Sequence, residues 1–192
     1  MRFSILPHGL ASAAVVLSGV ACQSPGSALR TTSAETGVAT MPLLAPGEGE
    51  RRTRRFAGGG VALIKVDRRN GGSQELMMGY EELSIGQAIP PHHHPAMDEI
   101  IFIHGGTGTV ELGDKTSAVA SGTTVFIPRA THVSLRNTGT EPLAIAFFFS
   151  HSGYEEYLRE TSAPDGQVAS PMSASELADI RERHKAHIVF DH

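Results

Sequence analysis

The residues with the clearest chemical potential lie in one short segment, Gly86 to Gly106, which reads GQAIPPHHHPAMDEIIFIHGG. In an extended strand, residues two apart project to the same face, so the side chains of His92 and His94 point together. Glu99 lies five residues beyond His94, a spacing that would put it on the opposite face of an unbroken strand. A turn containing Pro95 would reset this alternation, and Glu99 would then project back from the next strand towards the two histidines.

Two imidazoles and one carboxylate are a suitable ligand set for one divalent transition metal. The set suits Fe, Mn, Ni, Cu or Zn, and it lacks the thiolates of a structural zinc site. We therefore predict His92, His94 and Glu99 as metal ligands, and Glu99 is also the candidate catalytic residue because a carboxylate can accept a proton. The alternative is a surface histidine cluster in a proline-rich turn, which the full spacing disfavours.

The same segment fits the spacing G-x5-H-x-H-x4-E-x6-G at every fixed position and so resembles the first motif of the cupin superfamily. The resemblance covers about residues 56–150, and the tail from Phe148 through Leu158 resembles that of small, exported, single-domain cupins of the quercetin-dioxygenase type. It implies a small jelly-roll β-barrel with a metal inside. A second cupin motif, G-x5-P-x-G-x2-H-x3-N, is only partly present. Gly122, Pro128 and Asn137 match it, but Ala130 replaces the glycine and Val133 stands at the position of the metal-binding histidine.

A histidine is present one position before the expected one, at His132. In a regular strand His132 and Val133 face opposite sides. If a β-bulge follows Pro128, His132 turns inward and completes four protein ligands, which is the preferred prediction. If Val133 faces inward instead, the metal keeps three protein ligands. His104 is a reserve candidate, although its alternation is opposite to that of Glu99.

The segments around these motifs predict an all-β barrel followed by two short helices. Short β-branched and apolar runs alternate with turns rich in Gly, Asp and Asn, as in barrels and sandwiches. Tyr154 to Thr161 has a helical apolar stripe, and a capping box from Ser173 to Glu176 begins a second helix. Both helices are expected outside the barrel or on its open end. Strands are expected at residues 61–66, 75–85, 99–103, 107–112, 116–120, 123–127, 132–136 and 143–149.

The N-terminal residues 1–21 are typical of a secretory signal: an apolar run too short to span a bilayer, ending in small residues. Cys22, the single cysteine of the chain, follows directly and resembles the lipidated first residue of a bacterial lipoprotein. We therefore expect an exported protein of the periplasm or outer membrane, held by a lipid anchor at Cys22; ordinary export with cleavage nearby is the alternative. Detergent phase partitioning of the wild type and Cys22→Ser distinguishes the two, because only an anchored protein changes phase on substitution.

The remaining sequence predicts the charge properties, domain organisation and oligomeric state of the protein. A formal net charge of −4 gives no reason to expect a nucleic-acid partner. Residues 22–55 predict a flexible tether that ends in a solvated basic run, residues 56–150 a cupin barrel, and residues 151–192 a helical extension. A homodimer is expected, with Val61 to Val66 pairing across a two-fold axis to cover a barrel edge.

Three or four protein ligands leave coordination positions open for water, dioxygen or a substrate. A mostly apolar pocket for a small molecule is expected in the barrel mouth. The leading prediction is therefore a metal-dependent oxygenase acting on a small oxygenated or aromatic compound. The alternatives are a non-enzymatic metal-binding or small-ligand-binding protein of the cell envelope, and a lyase or isomerase that uses the metal as a Lewis acid, because the fold does not fix the chemistry. The residues expected to line the pocket are Met78, Tyr80, Ile101, Phe126 and Phe147.

Overall fold

Twelve strands and two helices make up the part of the chain that the computed structural model describes, namely residues 43–56, 60–70 and 73–191. The predicted signal and Cys22 lie outside the described residues. Within the described part, neither helix has the length and apolar character needed to cross a membrane. The elements are β1 (Glu50–Arg54), β2 (Val61–Val66), β3 (Met77–Leu83), β4 (Ala88–His93), β5 (Glu99–Gly105), β6 (Thr107–Leu112), β7 (Lys115–Ala120), β8 (Thr124–Ile127), β9 (Val133–Asn137), β10 (Leu143–Phe149), α1 (Tyr154–Glu160), β11 (Ser162–Pro164), α2 (Ala174–Arg183) and β12 (Val189–Phe190).

Two antiparallel sheets pack their apolar faces into one core. The first has the order β11-β1-β2-β3-β10-β5-β8 and the second the order β12-β4-β9-β6-β7. The core takes residues from both sheets, such as Ile64 and Ile103 from the first and Val110 and Leu135 from the second. β3, β5 and β8 bury every second residue, as the alternation of a half-buried strand requires, whereas β2 and β10 bury most of their residues on both faces. The predicted all-β, jelly-roll barrel is confirmed.

Several elements form where the local sequence predicts them. β2, β6 and β10 begin and end at the predicted residues. α2 begins after Ser173, whose hydroxyl accepts a hydrogen bond from the backbone N–H of Glu176 at 3.1 Å. This bond satisfies one of the free N–H groups of the first turn, as the capping pattern predicts.

The predicted flexible tether is too long at its C-terminal end. β1 lies within residues 22–55 and pairs with both β2 and β11. Arg52 and Arg54, two members of the basic run expected to be solvated, are buried on one face of this strand. Arg52 donates to the carbonyl oxygen of Ser162 at 2.9 Å, and Arg54 forms a 3.0 Å ion pair with Glu81. Ordered structure therefore begins before Phe56, because partners distant in the sequence compensate the buried charges.

The predicted dimer contact through β2 is wrong. β2 lies between β1 and β3, so both of its edges are already hydrogen-bonded within the chain. The free sheet edges of the described residues belong to β7, β8, β11 and β12. A homodimer through another surface stays a prediction.

The C-terminal extension is more than a pair of helices. β11 joins the edge of the first sheet, and β12 pairs with β4 in the second. α1 buries Tyr157 and Leu158, and Tyr157 packs in a second apolar cluster with Ile180 of α2 and with Ile188. The extension therefore forms part of the barrel wall beside β4, the strand that carries His92.

Gly79 of β3 lies against the ring of Phe147 of β10, so this position tests the packing of the core. A Cβ atom at position 79 would lie 2.2 Å from Cζ of Phe147. We expect Gly79→Ala to lower the free energy of unfolding by about 1–3 kcal/mol, because the ring must move within a packed core. Urea denaturation measures the loss. Gly105→Ala is the matched control, since its Cβ would lie at an ordinary 3.9 Å from that of Ala144; equal losses in both variants would contradict the prediction.

Candidate metal centre

His92, His94 and Glu99 meet inside the barrel. His92 faces inward from β4, His94 follows the strand directly, and Glu99 faces inward as the first residue of β5. Residues 94–98, between β4 and β5, are not in strand conformation, and this break resets the alternation as the spacing predicts. The ligand atoms of the three residues all lie within 4.8 Å of one another, and His94 Nε2 is 3.5 Å from Glu99 Oε2. All three side chains are buried.

Backbone carbonyl groups fix which nitrogen of each imidazole carries the hydrogen. His92 Nδ1 is 2.8 Å from the carbonyl oxygen of Pro90, and His94 Nδ1 is 2.6 Å from that of His187. A carbonyl oxygen can only accept, so each Nδ1 donates and each Nε2 of the neutral ring keeps its lone pair. This is the arrangement by which an outer partner orients a metal-binding histidine.

The space between the three residues fits a single ion. His94 Nε2 and Glu99 Oε2 are buried and have no hydrogen-bond partner among the described residues. A cavity of about 20 Å³ adjoins them, bordered by apolar side chains that include Ile101, Val133 and Phe147. That volume holds roughly one water-sized particle. Unpartnered buried donors and acceptors are costly, and an ion with two imidazole ligands and one carboxylate ligand would satisfy them.

Burial sets the charge of each member of the triad. It raises the pKa of Glu99 to about 8. It lowers the pKa of His92 to about 4 and that of His94 to about 3, although the bonds to backbone carbonyl groups act in the opposite direction. Near neutral pH both imidazoles are therefore neutral and able to ligate, whereas Glu99 keeps its proton until a cation compensates its charge.

Metal affinity should consequently rise with pH. The ion must displace the proton of Glu99 below about pH 8, and the histidines do not compete for protons above about pH 5. We expect the apparent association constant to rise about tenfold per pH unit between about pH 5 and pH 8, with about one proton released per ion, and to level off above that range. Competition against a chelator of known proton affinity measures the slope. An affinity that does not change over this range would contradict the assignment of Glu99 as the proton-releasing ligand.

His132 does not join the triad, which contradicts the preferred prediction of a fourth ligand. Its side chain is 53% exposed and lies on the outer face of the barrel, whereas Val133 is buried and borders the triad cavity. No bulge after Pro128 turns it inward; the extra residue instead lies in β4, between Ile89 and His92. β9 therefore begins with Val133 facing inward, which is the alternative with three protein ligands.

The turn before β9 keeps its shape although its usual glycine is missing. Ala130 has φ 61° and is the only non-glycine residue with a positive φ in the described part of the chain. Its backbone N–H donates to the carbonyl oxygen of His94 at 2.8 Å. The second motif therefore still lies beside the triad. The cost is the backbone strain of one alanine held in the left-handed region.

A larger cavity of about 520 Å³ opens beside the triad cavity. Four residues line both cavities: Glu81, Ile89, His92 and Tyr154. A small molecule in the larger cavity would therefore touch one of the predicted ligands, His92. The volume is in the range of ordinary small-molecule sites.

The predicted lining of the pocket is only partly correct. Ile101 and Phe147 border the triad cavity. Met78, Tyr80 and Phe126 are exposed or half-buried on the other face, because β3 and β8 bury the alternate residues. His104, the reserve ligand candidate, is exposed on the outward face of β5.

The site contains two charged residues that sequence reasoning missed, Arg54 and Glu81. Their ion pair is buried, and burial alone would lower the pKa of Arg54, but the charge and hydrogen bond of Glu81 outweigh it and raise that pKa. Tyr154 lies next to them, with its ring 5.4 Å from that of His94, and burial raises its pKa. The alternation of β1 and β3 was the available signal, because it places Arg54 and Glu81 on inward faces.

Fold and site together define a class: a small jelly-roll barrel that encloses a His-His-Glu ligand set suited to a transition metal. Residues 79–149 match the family described as "Cupin domain". This segment is a cupin domain, as the first motif indicates.

Two curated proteins are similar to this chain. Protein SchB of Streptomyces halstedii is 28% identical over 76 residues, which are 40% of this chain and 55% of SchB. The chain thus matches about half the length of that relative. The tetracenomycin polyketide synthase protein TcmJ of Streptomyces glaucescens is 22% identical over 115 residues, covering 54% of this chain and 77% of TcmJ.

Solved structures with a similar fold include two bacterial proteins. KdgF from Halomonas sp. has a TM-score of 0.44 at 20% identity, covering 50% of this chain and 82% of KdgF. A predicted oxalate decarboxylase from Thermotoga maritima has a TM-score of 0.49 at 19% identity, covering 58% of this chain and 100% of that protein.

Proposed function

We propose that this protein is a metal-dependent oxygenase that acts on a small oxygenated or aromatic compound carrying an acidic group. His92, His94 and Glu99 hold the ion. One observation carries the proposal: unpartnered donor atoms of His94 and Glu99 face each other at 3.5 Å, beside a cavity of substrate size.

The ligand set supports oxygen chemistry. Two histidines and one carboxylate with open coordination positions are the arrangement typical of non-haem Fe(II) oxygenases. When bound, the ion would provide those open coordination positions and act as a Lewis acid. The protein supplies the surroundings: Ile101, Val133 and Phe147 keep the triad in an apolar environment, where electrostatic interactions are stronger than in water.

The larger cavity supports the substrate class. Tyr154, Tyr157 and Phe190 give it aromatic walls on which a planar ring can pack. Arg136 and Arg181 also line it. The guanidinium carbon of Arg181 lies 4.2 Å from the centre of the Phe190 ring, and its Nε is buried without a partner among the described residues. Such a fixed guanidinium suits a carboxylate or an ionised phenol.

Two polar residues are placed to exchange a proton with a bound molecule. Glu81 and Tyr154 line both cavities and therefore lie between the substrate and the triad. Arg54 donates to Glu81 at 3.0 Å and holds its carboxylate group in place. Glu99, which would hold the ion, is a further candidate proton acceptor, because it is a carboxylate facing the triad cavity.

Oxygen uptake by Fe(II)-loaded protein tests the proposal. The substrate panel comprises phenols, keto acids and an aromatic poly-keto compound, the last because TcmJ is named as a polyketide synthase protein. We expect substrate-dependent oxygen consumption that Glu99→Gln abolishes. Glu141→Gln, at an exposed glutamate, is the matched control and should keep the activity of the wild type. Absence of uptake with every substrate, despite bound Fe(II), would overturn the oxygenase proposal.

The second candidate is a lyase or isomerase that uses the ion as a Lewis acid. The placement of Glu81 and Tyr154 between the two cavities favours it, because proton transfer is the main protein contribution to such reactions. The same assay distinguishes it, since product would form without oxygen consumption and also under anaerobic conditions. Bound metal with no turnover under either condition would favour a non-enzymatic binding protein.

A further inference from the structure

A second group of metal-ligating side chains lies on the outer face of the barrel, separate from the triad. It consists of His93, His132 and Asp191, whose ligand atoms all lie within 4.8 Å of one another. His132 Nδ1 is 2.8 Å from Asp191 Oδ2, and the rings of His93 and His132 are 4.6 Å apart. We propose that these three residues, named the outer site, bind a second divalent transition ion.

The position of the outer site follows from the alternation of β4. His92 points into the barrel, so His93 points out, and one strand contributes to both sites. His132 is outward for the same reason, because its neighbour Val133 is inward. The histidine displaced from the second motif is therefore present at a different site, on the other side of the strand pair β4 and β9.

The chemistry of the outer site matches a borderline transition ion such as Zn(II), Ni(II) or Cu(II). Two imidazoles and one carboxylate are ordinary ligands for these ions, and open positions can take water on the exposed side. His93 Nδ1 is shielded from solvent and has no hydrogen-bond partner among the described residues. A buried ring nitrogen without a partner is costly, and coordination of an ion through His93 Nδ1 would remove that cost.

An ion at the outer site would link Asp191, next to β12, to His93 of β4. Asp191 directly follows β12, whose Val189 and Phe190 pair with His93 and His92. The ring of Phe190 lies 5.7 Å from that of His92, and Phe190 also lines the larger cavity. Occupancy of the outer site would therefore stabilise one wall of the cavity beside the triad.

Zn(II) titration of the untagged, metal-free, full-length chain tests the outer site, with a competing chelator and native mass spectrometry as readouts. We expect two ions per wild-type chain. His132→Ala and Asp191→Asn should each remove one ion and leave the tighter one. The double variant His94→Gln and Glu99→Gln should keep one ion, bound at the outer site with an affinity at least tenfold weaker than that of the triad in the wild type. His104→Ala, at an exposed histidine of β5, is the control and should keep two. Equal stoichiometry in wild type and Asp191→Asn, or no ion in the double variant, would overturn the proposal.

Amide hydrogen exchange supplies a readout that does not depend on counting ions. In the His94→Gln and Glu99→Gln background, Zn(II) should slow exchange at Val189 and Phe190 by about tenfold or more, because the ion joins β12 to β4. Adding Asp191→Asn to that background should remove the effect of Zn(II). Exchange at β12 that is unaffected by Zn(II) would also overturn the proposal. The triad is absent from both variants, so failure of the outer site and failure of the triad give different results.

Discussion

Replacing Glu99 with Gln, or His94 with Gln, will lower metal affinity at the triad by about a hundredfold or more, equivalent to ~2.8 kcal/mol at roughly 1.4 kcal/mol per decade. The cause is the number of donors: the structure brings three buried ligand atoms together, and two do not hold a transition ion well. Competition with a chelator measures the change, and substrate-dependent oxygen uptake should disappear with it.

Glu99→Gln is the cleaner of the two variants. Burial raises the pKa of Glu99 to about 8, so the metal-free protein carries a neutral carboxylic acid at this position near neutral pH. The amide of Gln is neutral and of nearly the same shape, and the thermal midpoint of the metal-free protein should hardly change. Loss of affinity in a variant with unchanged stability would therefore report ligation rather than misfolding. Wild-type affinity in Glu99→Gln would remove Glu99 from the site.

The triad could be predicted from the sequence because its geometry is local. His92 and His94 share a face through strand alternation, and the turn containing Pro95 lies within the same short segment as Glu99. Nothing outside residues 86–106 was needed to place these three side chains together.

The position of His132 could not be predicted because it depends on an irregularity in another strand. The extra residue lies in β4, between Ile89 and His92, where Pro90 and Pro91 occur. Proline lacks an N–H and interrupts a regular ladder, so a bulge at this position is physically reasonable. Motif spacing alone leaves open whether the bulge lies before the triad or after Pro128, and that choice decides which of His132 and Val133 faces inward.

The inward charges were missed for a different reason. Arg54 and Glu81 are 27 positions apart, and each alone in the core would be strongly unfavourable. Only the pairing of β1, β2 and β3 shows that they meet. A basic run such as Arg51 to Arg55 indicates a solvated segment as long as its partners are unknown, so the sequence alone predicts a tether that extends to Arg55.

Arg159→Met is expected to lower the free energy of unfolding by about 3–5 kcal/mol, because it leaves a buried carboxylate without its partner. Arg159 of α1 donates to Asp67 at 2.5 Å and to Glu50 at 2.9 Å, and the Asp67 side chain is fully buried. Burial alone would raise the pKa of Asp67, but the hydrogen bond and charge of Arg159, together with hydrogen bonds from the backbone N–H groups of Asn70 and Arg69, outweigh it and lower that pKa. α1 also carries Tyr154 to the triad, so its docking matters for the site.

Urea denaturation of a set of variants separates this effect from ordinary loss of packing. Arg69→Met is the matched control, because the Arg69 side chain is 60% exposed in its pair with Glu156 and should contribute at most about 1 kcal/mol. Adding Asp67→Asn to Arg159→Met should recover part of the loss, since it removes the unpaired charge. The stabilisation from a carboxyl of lowered pKa is present above its unfolded-state value and is lost as pH falls, so the deficit of Arg159→Met should shrink in acid. A deficit that is independent of pH and not relieved by Asp67→Asn would show that Arg159 stabilises the fold through the packing of its side chain instead.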